Sequence, residues 1–216
     1  MNSPGNTSIR ERLIGMRVIP VLRFGSRQEA EAAIDCLVEA GFGSVEITLT
    51  TPDAVELIAA LRARSPKPFL VGAGTVLDLD AAKRCILAGA DYLVSPCLVP
   101  GLAAFANAAG RGALVGGFTP GEVLAAWREG ADIVKVFPAA TGGPSHLSAL
   151  HAIYPEIPLC PTGGLSQDNI REYLRAGAAL VGVGNNVIDR SALAAGDRSR
   201  VIAHARRFLA LASEAA

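Results

Sequence analysis

Short apolar runs alternate with longer amphipathic, alanine-rich stretches along nearly the whole chain. The runs are continuous and do not alternate with polar residues, which is typical of strands buried on both faces of a parallel sheet. They cover residues 18–22, 44–47, 69–71, 92–94, 113–115, 133–137, 159–160 and 179–181. The pattern therefore predicts eight buried strands with helices between them.

The stretches between the runs carry helix-boundary residues. Thr51 and Thr119 each precede a proline, which favours a helix with that proline in its first turn. Glu122 follows Thr119 by three residues and completes a capping box. Another helix is expected to begin near Ser166. Several stretches end in a glycine, the residue that most readily takes the left-handed conformation at a helix end; these are Gly41, Gly89, Gly130 and Gly177.

Repetition of this strand–helix unit predicts a single-domain (β/α)8 barrel over residues 1–216. Eight units in 216 residues average about 27 residues each, which is short but compatible with this fold. We expect an extra leading helix at 8–16, the eight units at 17–190 and a C-terminal helix at 191–216. A doubly wound open sheet is the alternative. The count of eight units favours the barrel.

Charge and composition narrow the classes of function. Lys+Arg and Asp+Glu both total 20, so the formal net charge is zero and we expect no nucleic-acid partner. The long uncharged run at residues 92–110 is interrupted by proline and glycine, so no membrane-spanning helix is expected. Residues 1–13 are polar and contain no apolar signal segment. Four cysteines without a C-x-x-C pair indicate a reduced, cytoplasmic chain.

Two charged residues inside apolar runs are the first candidates for chemistry. Lys135 lies within 133–137, and Glu46 lies within 44–47. Burial disfavours a charged ammonium, and a neutral amine can attack a carbonyl carbon. A buried carboxyl group suits general acid–base catalysis. A structural ion pair is the other interpretation, but the presence of both residues in one barrel interior favours catalysis.

Candidate binding residues follow the ends of other runs, where barrels of this kind place their active sites. Arg23 ends the first run and offers a guanidinium to a carboxylate or phosphate. Thr75 follows a glycine-rich segment and offers a hydroxyl. Glycine-rich turns end the last two runs, a common phosphate site of such barrels; they contain Thr162, Gly163, Gly164, Gly184 and Asn185. The three histidines are too scattered for a metal cluster, so no metal is expected.

These segments together resemble the 2-keto-3-deoxy-6-phosphogluconate (KDPG) aldolase family of class I aldolases over about residues 18–189. The motifs are VLR at 21–23, VEIT at 45–48, GAGTV at 72–76, KVFP at 135–138, PTGG at 161–164 and GVG at 182–184. The resemblance implies a short (β/α)8 barrel that forms a homotrimer and uses no cofactor. It also implies that a small phosphorylated keto acid, KDPG, is cleaved to pyruvate and D-glyceraldehyde 3-phosphate.

The resemblance also implies roles for the candidate residues. Lys135 would form a Schiff base with the substrate ketone, and Glu46 would move protons. Arg23 and Thr75 would hold the carboxylate. The phosphate would be held by Thr162, Gly163, Gly164, Gly184 and Asn185.

Two positions depart from the pattern of many family members and leave the substrate open. Thr50 stands where many members have an arginine, and Asn185 stands where many have a serine. Relatives that act on the galactonate epimer also lack that arginine, and some members cleave 2-keto-4-hydroxyglutarate (KHG). A sugar-phosphate isomerase or binding barrel, with no covalent chemistry at Lys135, is the alternative from a different class.

Overall fold

The computed structural model describes residues 8–65 and 68–215 and shows a barrel of eight parallel strands. The strands are β1 (Val18–Leu22), β2 (Ser44–Thr48), β3 (Leu70–Gly74), β4 (Tyr92–Val94), β5 (Gly112–Gly117), β6 (Ile133–Val136), β7 (Leu159–Pro161) and β8 (Val181–Val183). Strand β1 pairs with both β2 and β8. A bridge between Thr162 and Gly182 joins the two remaining edges. The sheet is therefore the predicted barrel and not an open sheet.

Helices alternate with these strands along the chain. The leading helix α1 (Ile9–Met16) precedes β1, as predicted. The intervening helices are α2 (Arg27–Ala40), α3 (Ala54–Arg64), α4 (Leu79–Leu87), α5 (Leu102–Ala108), α6 (Pro120–Arg128), α7 (Ala139–Ile153) and α8 (Ile170–Arg175). A short 3-10 turn (Asn185–Val187) follows β8, and α9 (Arg190–Ala194) and α10 (Arg198–Glu214) complete the described chain.

One of the two predicted threonine–proline helix starts is confirmed. Helix α6 begins at Pro120, and its capping box forms as expected: the Thr119 hydroxyl accepts from the Glu122 N–H at 3.3 Å. The start at Thr51 was wrong, because α3 begins only at Ala54. The Thr51 hydroxyl is buried and accepts from the N–H of Phe24 at 3.3 Å. It therefore ties the loop after β2 to the end of β1.

Several element boundaries differ from the sequence prediction, and hydrogen bonds account for three of them. Strand β3 runs on to Gly74, because Gly72 and Gly74 pair in register with residues of β2. Strand β8 begins two residues later than predicted, since the N–H of Ala179 instead donates to the Leu159 carbonyl. Helix α8 begins four residues after Ser166, whose N–H donates to the side chain of Asn169 in a turn before the helix.

The C-terminal segment contains two helices where the sequence predicted one. Gly196 separates α9 from α10 with a φ of 72°, a left-handed conformation that ends the first helix. Helix α10 is 17 residues long and buries Val201, Ala205 and Phe208. Among residues 8–65 and 68–215, no helix is both long and apolar enough to cross a membrane.

Two apolar cores support the barrel. The larger core lies between the strands and the surrounding helices. The smaller core joins Leu13 of α1 to Ile19, Leu70, Leu114 and Ile133, which project from the strands. Because α1 supplies Leu13 to this inner core, the leading helix closes the end of the barrel where the strands begin.

Candidate active site

A cavity of about 470 Å³ lies at the end of the barrel where the strands finish. All of the predicted site residues except Gly164 line it: Arg23, Glu46, Thr75, Lys135, Thr162, Gly163, Gly184 and Asn185. They come from six different strands or the loops that follow them. The barrel therefore gathers residues that are far apart in the sequence into one concave site.

Lys135 and Glu46 meet across the barrel interior. Their strands, β6 and β2, lie four positions apart in an eight-stranded order. Lys135 Nζ lies 3.7 Å from Glu46 Oε1, and the two side chains are 6% and 3% exposed. At this distance the two groups form an ion pair but not a hydrogen bond. Glu46 Oε1 has no hydrogen-bond partner among the described residues, so the carboxylate is held by charge and by packing alone.

The environment of Glu46 raises the pKa of its carboxyl group. Burial raises the pKa of the Glu46 carboxyl group, and the nearby charges of Lys135 and Arg23 act in the opposite direction. A carboxyl group with a raised pKa can hold a proton in one step and release it in the next. Gly74 provides the space for this group, because a Cβ on Gly74 would collide with Glu46 Oε1.

A fully buried phenol, that of Tyr92, lies near the ion pair. The ring of Tyr92 occupies the space where a side chain on Gly72 would lie. Its hydroxyl hydrogen bonds to that of Ser44 at 2.8 Å. Burial raises the pKa of Tyr92 well above its ordinary value, so the phenol stays neutral. Tyr92 belongs to the inner apolar core, and the negative charge of Glu46 also raises its pKa, so an uncharged phenol lies near the ion pair.

A buried thiol next to Lys135 is held in its protonated form. Cys160 pairs in register with Lys135 across β6 and β7. Burial raises the pKa of Cys160 to about 12, so the thiolate, the nucleophilic form of cysteine, is not populated near neutral pH. Between these two neighbours, Lys135 is therefore the better candidate for a nucleophile.

Sequence reasoning missed several residues that line the cavity: Val21, Thr48, Pro96 and Phe137. Lys135 Nζ lies 5.4 Å from the centre of the Phe137 ring, on its face. Phe137 could have been found, because residues two apart on a strand project to the same side and Phe137 follows Lys135 by two. Pro96 lies in a loop outside the strands, where this period does not apply.

The two residues predicted to bind a carboxylate differ in how they are held. Arg23 is exposed at the end of β1, and its charge lowers the pKa of Glu46, which places it within electrostatic reach of the ion pair. Thr75 has a φ of 60°, which is unusual for a residue other than glycine. Such strained residues cost about 1–3 kcal/mol and concentrate at functional sites. Thr75 therefore presents its hydroxyl in a conformation that folding alone does not favour.

The predicted phosphate residues lie together on the side of the cavity formed by β7 and β8. Gly163 and Gly164 have left-handed φ angles of 94° and 83°. Gly164 turns away from the cavity, and a Cβ there would collide with that of Ala140. The Asn185 side chain is bonded to the main chain of Arg23. Only Thr162, Gly163, Gly184 and the main chain of Asn185 are thus left to face a ligand.

Histidine takes no part in the cavity. His146 stacks on the ring of Phe118 with the ring centres 4.5 Å apart, and its Nε2 hydrogen bonds to the Phe118 carbonyl at 2.8 Å. Within the described ranges, no three His, Cys, Asp or Glu side chains are grouped so as to hold a metal ion. The charged side chains that line the cavity are the amine of Lys135, the carboxyl group of Glu46 and the guanidinium of Arg23.

Comparison of the sequence with known proteins finds a family of aldolases. The family model for KDPG and KHG aldolase matches residues 9–204. A probable 2-dehydro-3-deoxy-6-phosphogalactonate aldolase of Rhizobium meliloti is 36% identical over 188 residues, 86% of this chain and 88% of the relative. A 2-dehydro-3-deoxy-phosphogluconate aldolase of Treponema pallidum is 34% identical over 203 residues, 94% of this chain and 96% of the relative.

A solved structure supports the same assignment. The KDPG aldolase of Legionella pneumophila, with pyruvate captured as a covalent carbinolamine intermediate, superposes with a TM-score of 0.84. The two chains are 28% identical, and the match covers 93% of this chain and 97% of the other. From the family match over most of its length, from its relatives and from its barrel, this chain belongs to the KDPG and KHG aldolase family of carbon–carbon lyases.

Proposed function

We propose that this protein is a class I aldolase that cleaves KDPG to pyruvate and D-glyceraldehyde 3-phosphate through a Schiff base on Lys135. The observation that carries the proposal is the buried pair of Lys135 and Glu46, 3.7 Å apart, at the base of an open cavity. The carbinolamine captured in the Legionella relative supports the same chemistry here.

Imine formation begins with the ion pair itself. Transfer of a proton from Lys135 to Glu46 leaves a neutral amine and a neutral carboxyl group, a state that burial of Glu46 favours. The amine adds to the C2 carbonyl carbon, and a proton moves from nitrogen to oxygen to give a carbinolamine. Glu46 then gives its proton to the C2 hydroxyl, which leaves as water. The result is a protonated imine beside a Glu46 carboxylate.

Carbon–carbon cleavage uses the same two groups. The Glu46 carboxylate removes the proton of the C4 hydroxyl, the C3–C4 bond breaks, and C4 becomes the aldehyde of glyceraldehyde 3-phosphate. The bonding electrons move to C3 and neutralise the iminium, which serves as the electron sink. Glu46 returns its proton to C3 of the enamine. Addition of water to the resulting protonated imine releases pyruvate and restores the Lys135 ammonium beside the Glu46 carboxylate.

The remaining cavity residues bind the two ends of the substrate. Arg23 offers a bidentate guanidinium and Thr75 a hydroxyl to the carboxylate beside C2. Thr162, Gly163, Gly184 and the main chain of Asn185 receive the phosphate through hydroxyl and main-chain groups. Gly164, which does not line the cavity, shapes the turn that presents Gly163. Such contacts hold the reacting carbonyl near Lys135 and contribute orientation as well as affinity.

The galactonate epimer of KDPG is a second candidate substrate, favoured by the geometry around Thr50. The Thr50 hydroxyl hydrogen bonds to that of Thr48 at 2.9 Å, and Thr48 lines the cavity. A short hydroxyl therefore occupies the position where many family members have an arginine. The Rhizobium relative is described as a galactonate enzyme. Comparing kcat/KM for the two epimers decides between them, and a clear preference for the galactonate epimer would overturn KDPG as the main substrate.

The general reaction is tested by incubating the purified protein with KDPG and measuring pyruvate with lactate dehydrogenase and NADH. We expect pyruvate release by the wild type and none by Lys135→Arg, because a guanidinium does not form an imine. KDPG that is isomerised without release of pyruvate would favour the isomerase alternative. Equal cleavage of unphosphorylated 2-keto-3-deoxygluconate would contradict the phosphate site.

A homotrimer, which the family resemblance implies, is part of the same proposal. Large exposed apolar side chains lie on and beside α4: Leu77, Leu79 and Leu87 are 56%, 42% and 77% exposed. Burial of these residues between subunits would remove apolar surface from water. Light scattering should give three times the mass of the chain, and a monomeric mass at micromolar concentration would contradict this part of the proposal.

A further inference from the structure

The side chain of Asn185 makes two hydrogen bonds to the main chain of Arg23. Asn185 Oδ1 accepts a hydrogen bond from the Arg23 N–H at 3.1 Å, and Asn185 Nδ2 donates to the Arg23 carbonyl at 2.7 Å. Both polar groups of the Arg23 main chain are therefore bonded to one amide. The two residues are 162 positions apart in the sequence, and their strands, β1 and β8, are neighbours in the barrel.

The main chain on either side of Arg23 is also held by side chains. The Thr48 hydroxyl donates to the carbonyl of Leu22 at 2.9 Å, and the N–H of Phe24 donates to the Thr51 hydroxyl at 3.3 Å. Both threonines belong to β2 or its loop. The end of β1 is thus fixed from β2 on one side and from the turn after β8 on the other. A segment held this firmly presents the Arg23 side chain from a rigid base.

We propose that Asn185 is a positioning residue for Arg23, and that its side chain sets the affinity for the carboxylate end of the keto acid. The proposal rests on the proposed function, in which Arg23 binds that carboxylate. Asn185 lies in the turn assigned to the phosphate end, yet its side-chain amide is bonded to the main chain of Arg23, at the carboxylate end of the site. It therefore links the two anion-binding regions of the cavity.

The chemistry of the side chain explains why asparagine suits this position. A carboxamide carries a donor and an acceptor in one plane, as a peptide group does, and so satisfies an N–H and a carbonyl at the same time. Serine has a single, shorter hydroxyl, and aspartate lacks the donor. Fixing the main chain of Arg23 before the ligand arrives lowers the entropy lost when the long side chain is ordered.

This arrangement changes the expected effect of Asn185→Ser. From the sequence alone, serine restores the hydroxyl that many relatives carry and should tighten phosphate binding. In the structure, the same change removes both bonds to Arg23. We therefore expect weaker binding at the carboxylate end, whatever serine contributes at the phosphate end.

Pyruvate tests the proposal because it has the carboxylate and the ketone but no phosphate. We would measure the pyruvate concentration that half-saturates borohydride trapping on Lys135, in the wild type and in Asn185→Ala. Because the Arg23 segment must then be ordered on binding instead of beforehand, this concentration should rise by roughly two- to tenfold. Asn186→Ala is the matched control, because the amide of Asn186 donates to the Leu165 carbonyl at 2.9 Å and makes no bond to Arg23. It should leave the half-saturating concentration unchanged.

A double-mutant cycle separates positioning from a general loss of structure. In an Arg23→Ala background, Asn185→Ala should have little further effect on half-saturation by pyruvate, since there is no guanidinium left to position. An equal effect in both backgrounds, or an effect on KM for KDPG with none on pyruvate, would overturn the proposal.

Failure of the proposed function gives a different result. If the wild type traps no pyruvate on Lys135, the Schiff-base assignment fails, and the link between the two residues is then measured by hydrogen exchange of the Arg23 amide. Faster exchange in Asn185→Ala than in Asn186→Ala supports the link. Equal exchange in the two variants overturns it.

Discussion

Replacing Gly74 with alanine would place a methyl group against the Glu46 side chain. Gly74 does not have a left-handed φ, so alanine brings no backbone strain there. The new Cβ would lie 2.7 Å from Glu46 Cδ and 2.8 Å from Cγ. Carbon atoms pack at about 3.5–4.0 Å, so the carboxyl group must move by about 1 Å. The substitution therefore displaces the proposed proton carrier without changing its chemistry.

The displacement should lower kcat far more than it lowers stability. A misplacement of about 1 Å can cost on the order of 100-fold in rate. Overpacking of a buried site typically costs about 1–3 kcal/mol in the free energy of unfolding, so the protein should still fold. Turnover is measured by pyruvate release from KDPG, and stability by urea unfolding.

Two comparisons make this prediction specific. Gly121→Ala is the matched control, because Gly121 lies in α6 and a Cβ there has no heavy atom within 4 Å; its kcat should equal that of the wild type. In a Glu46→Gln background, Gly74→Ala should add little to the loss of kcat, because both changes act on the same group. A folded Gly74→Ala enzyme with wild-type kcat would refute the view that catalysis depends on the position of Glu46.

Two further substitutions test the site. Glu46→Gln should lower kcat by about 10²–10⁴-fold, the usual contribution of a general acid–base group, and normal turnover in the folded variant would show that the carboxyl group is structural. Burial raises the pKa of Glu46 above its ordinary 4.5, so the folded state binds the proton more tightly than the unfolded chain does. Proton binding by Glu46 therefore stabilises the folded state below about pH 4.5, and this stabilisation is lost as pH rises through the raised pKa. The free energy of unfolding of the wild type relative to Glu46→Gln should thus decrease as pH rises above 4.5, and a constant difference in urea unfolding would contradict the raised pKa. Gly163→Ala introduces strain at a φ of 94° and a Cβ 3.1 Å from the Phe137 ring. It should raise KM for KDPG while the pyruvate concentration that half-saturates trapping changes little. The opposite pattern would show that the phosphate does not bind at Gly163.

The architecture was predictable because each strand is buried on both faces and so forms a continuous apolar run. The same rule made Lys135 and Glu46 visible, since a charge inside such a run is exceptional. Strand ends were less predictable. Gly72 and Gly74 extend β3 beyond its apolar run, and they are glycine because Tyr92 and Glu46 fill the space beside them.

Contacts between distant segments could not be predicted from the chain alone. Sequence patterns give the direction of a side chain within one element, whereas the bonds from Asn185 to Arg23 depend on how β8 lies beside β1. The same limit explains why the helix start at Thr51 was wrong: its hydroxyl accepts a hydrogen bond from the N–H of Phe24, which follows the neighbouring strand. It also explains Gly164, whose turn packs against Ala140 and away from the cavity.

The most direct test of the account is the identity of the residue that forms the imine. The protein is incubated with pyruvate, reduced with borohydride, digested, and its peptides are mapped by mass spectrometry. We predict that the peptide containing Lys135 carries the reduced pyruvate adduct, that activity is lost in parallel, and that Lys135→Arg is not labelled. Labelling at Lys67 or Lys83 instead, or no labelling under conditions where KDPG is cleaved, would contradict the central claim that Lys135 is the Schiff-base residue.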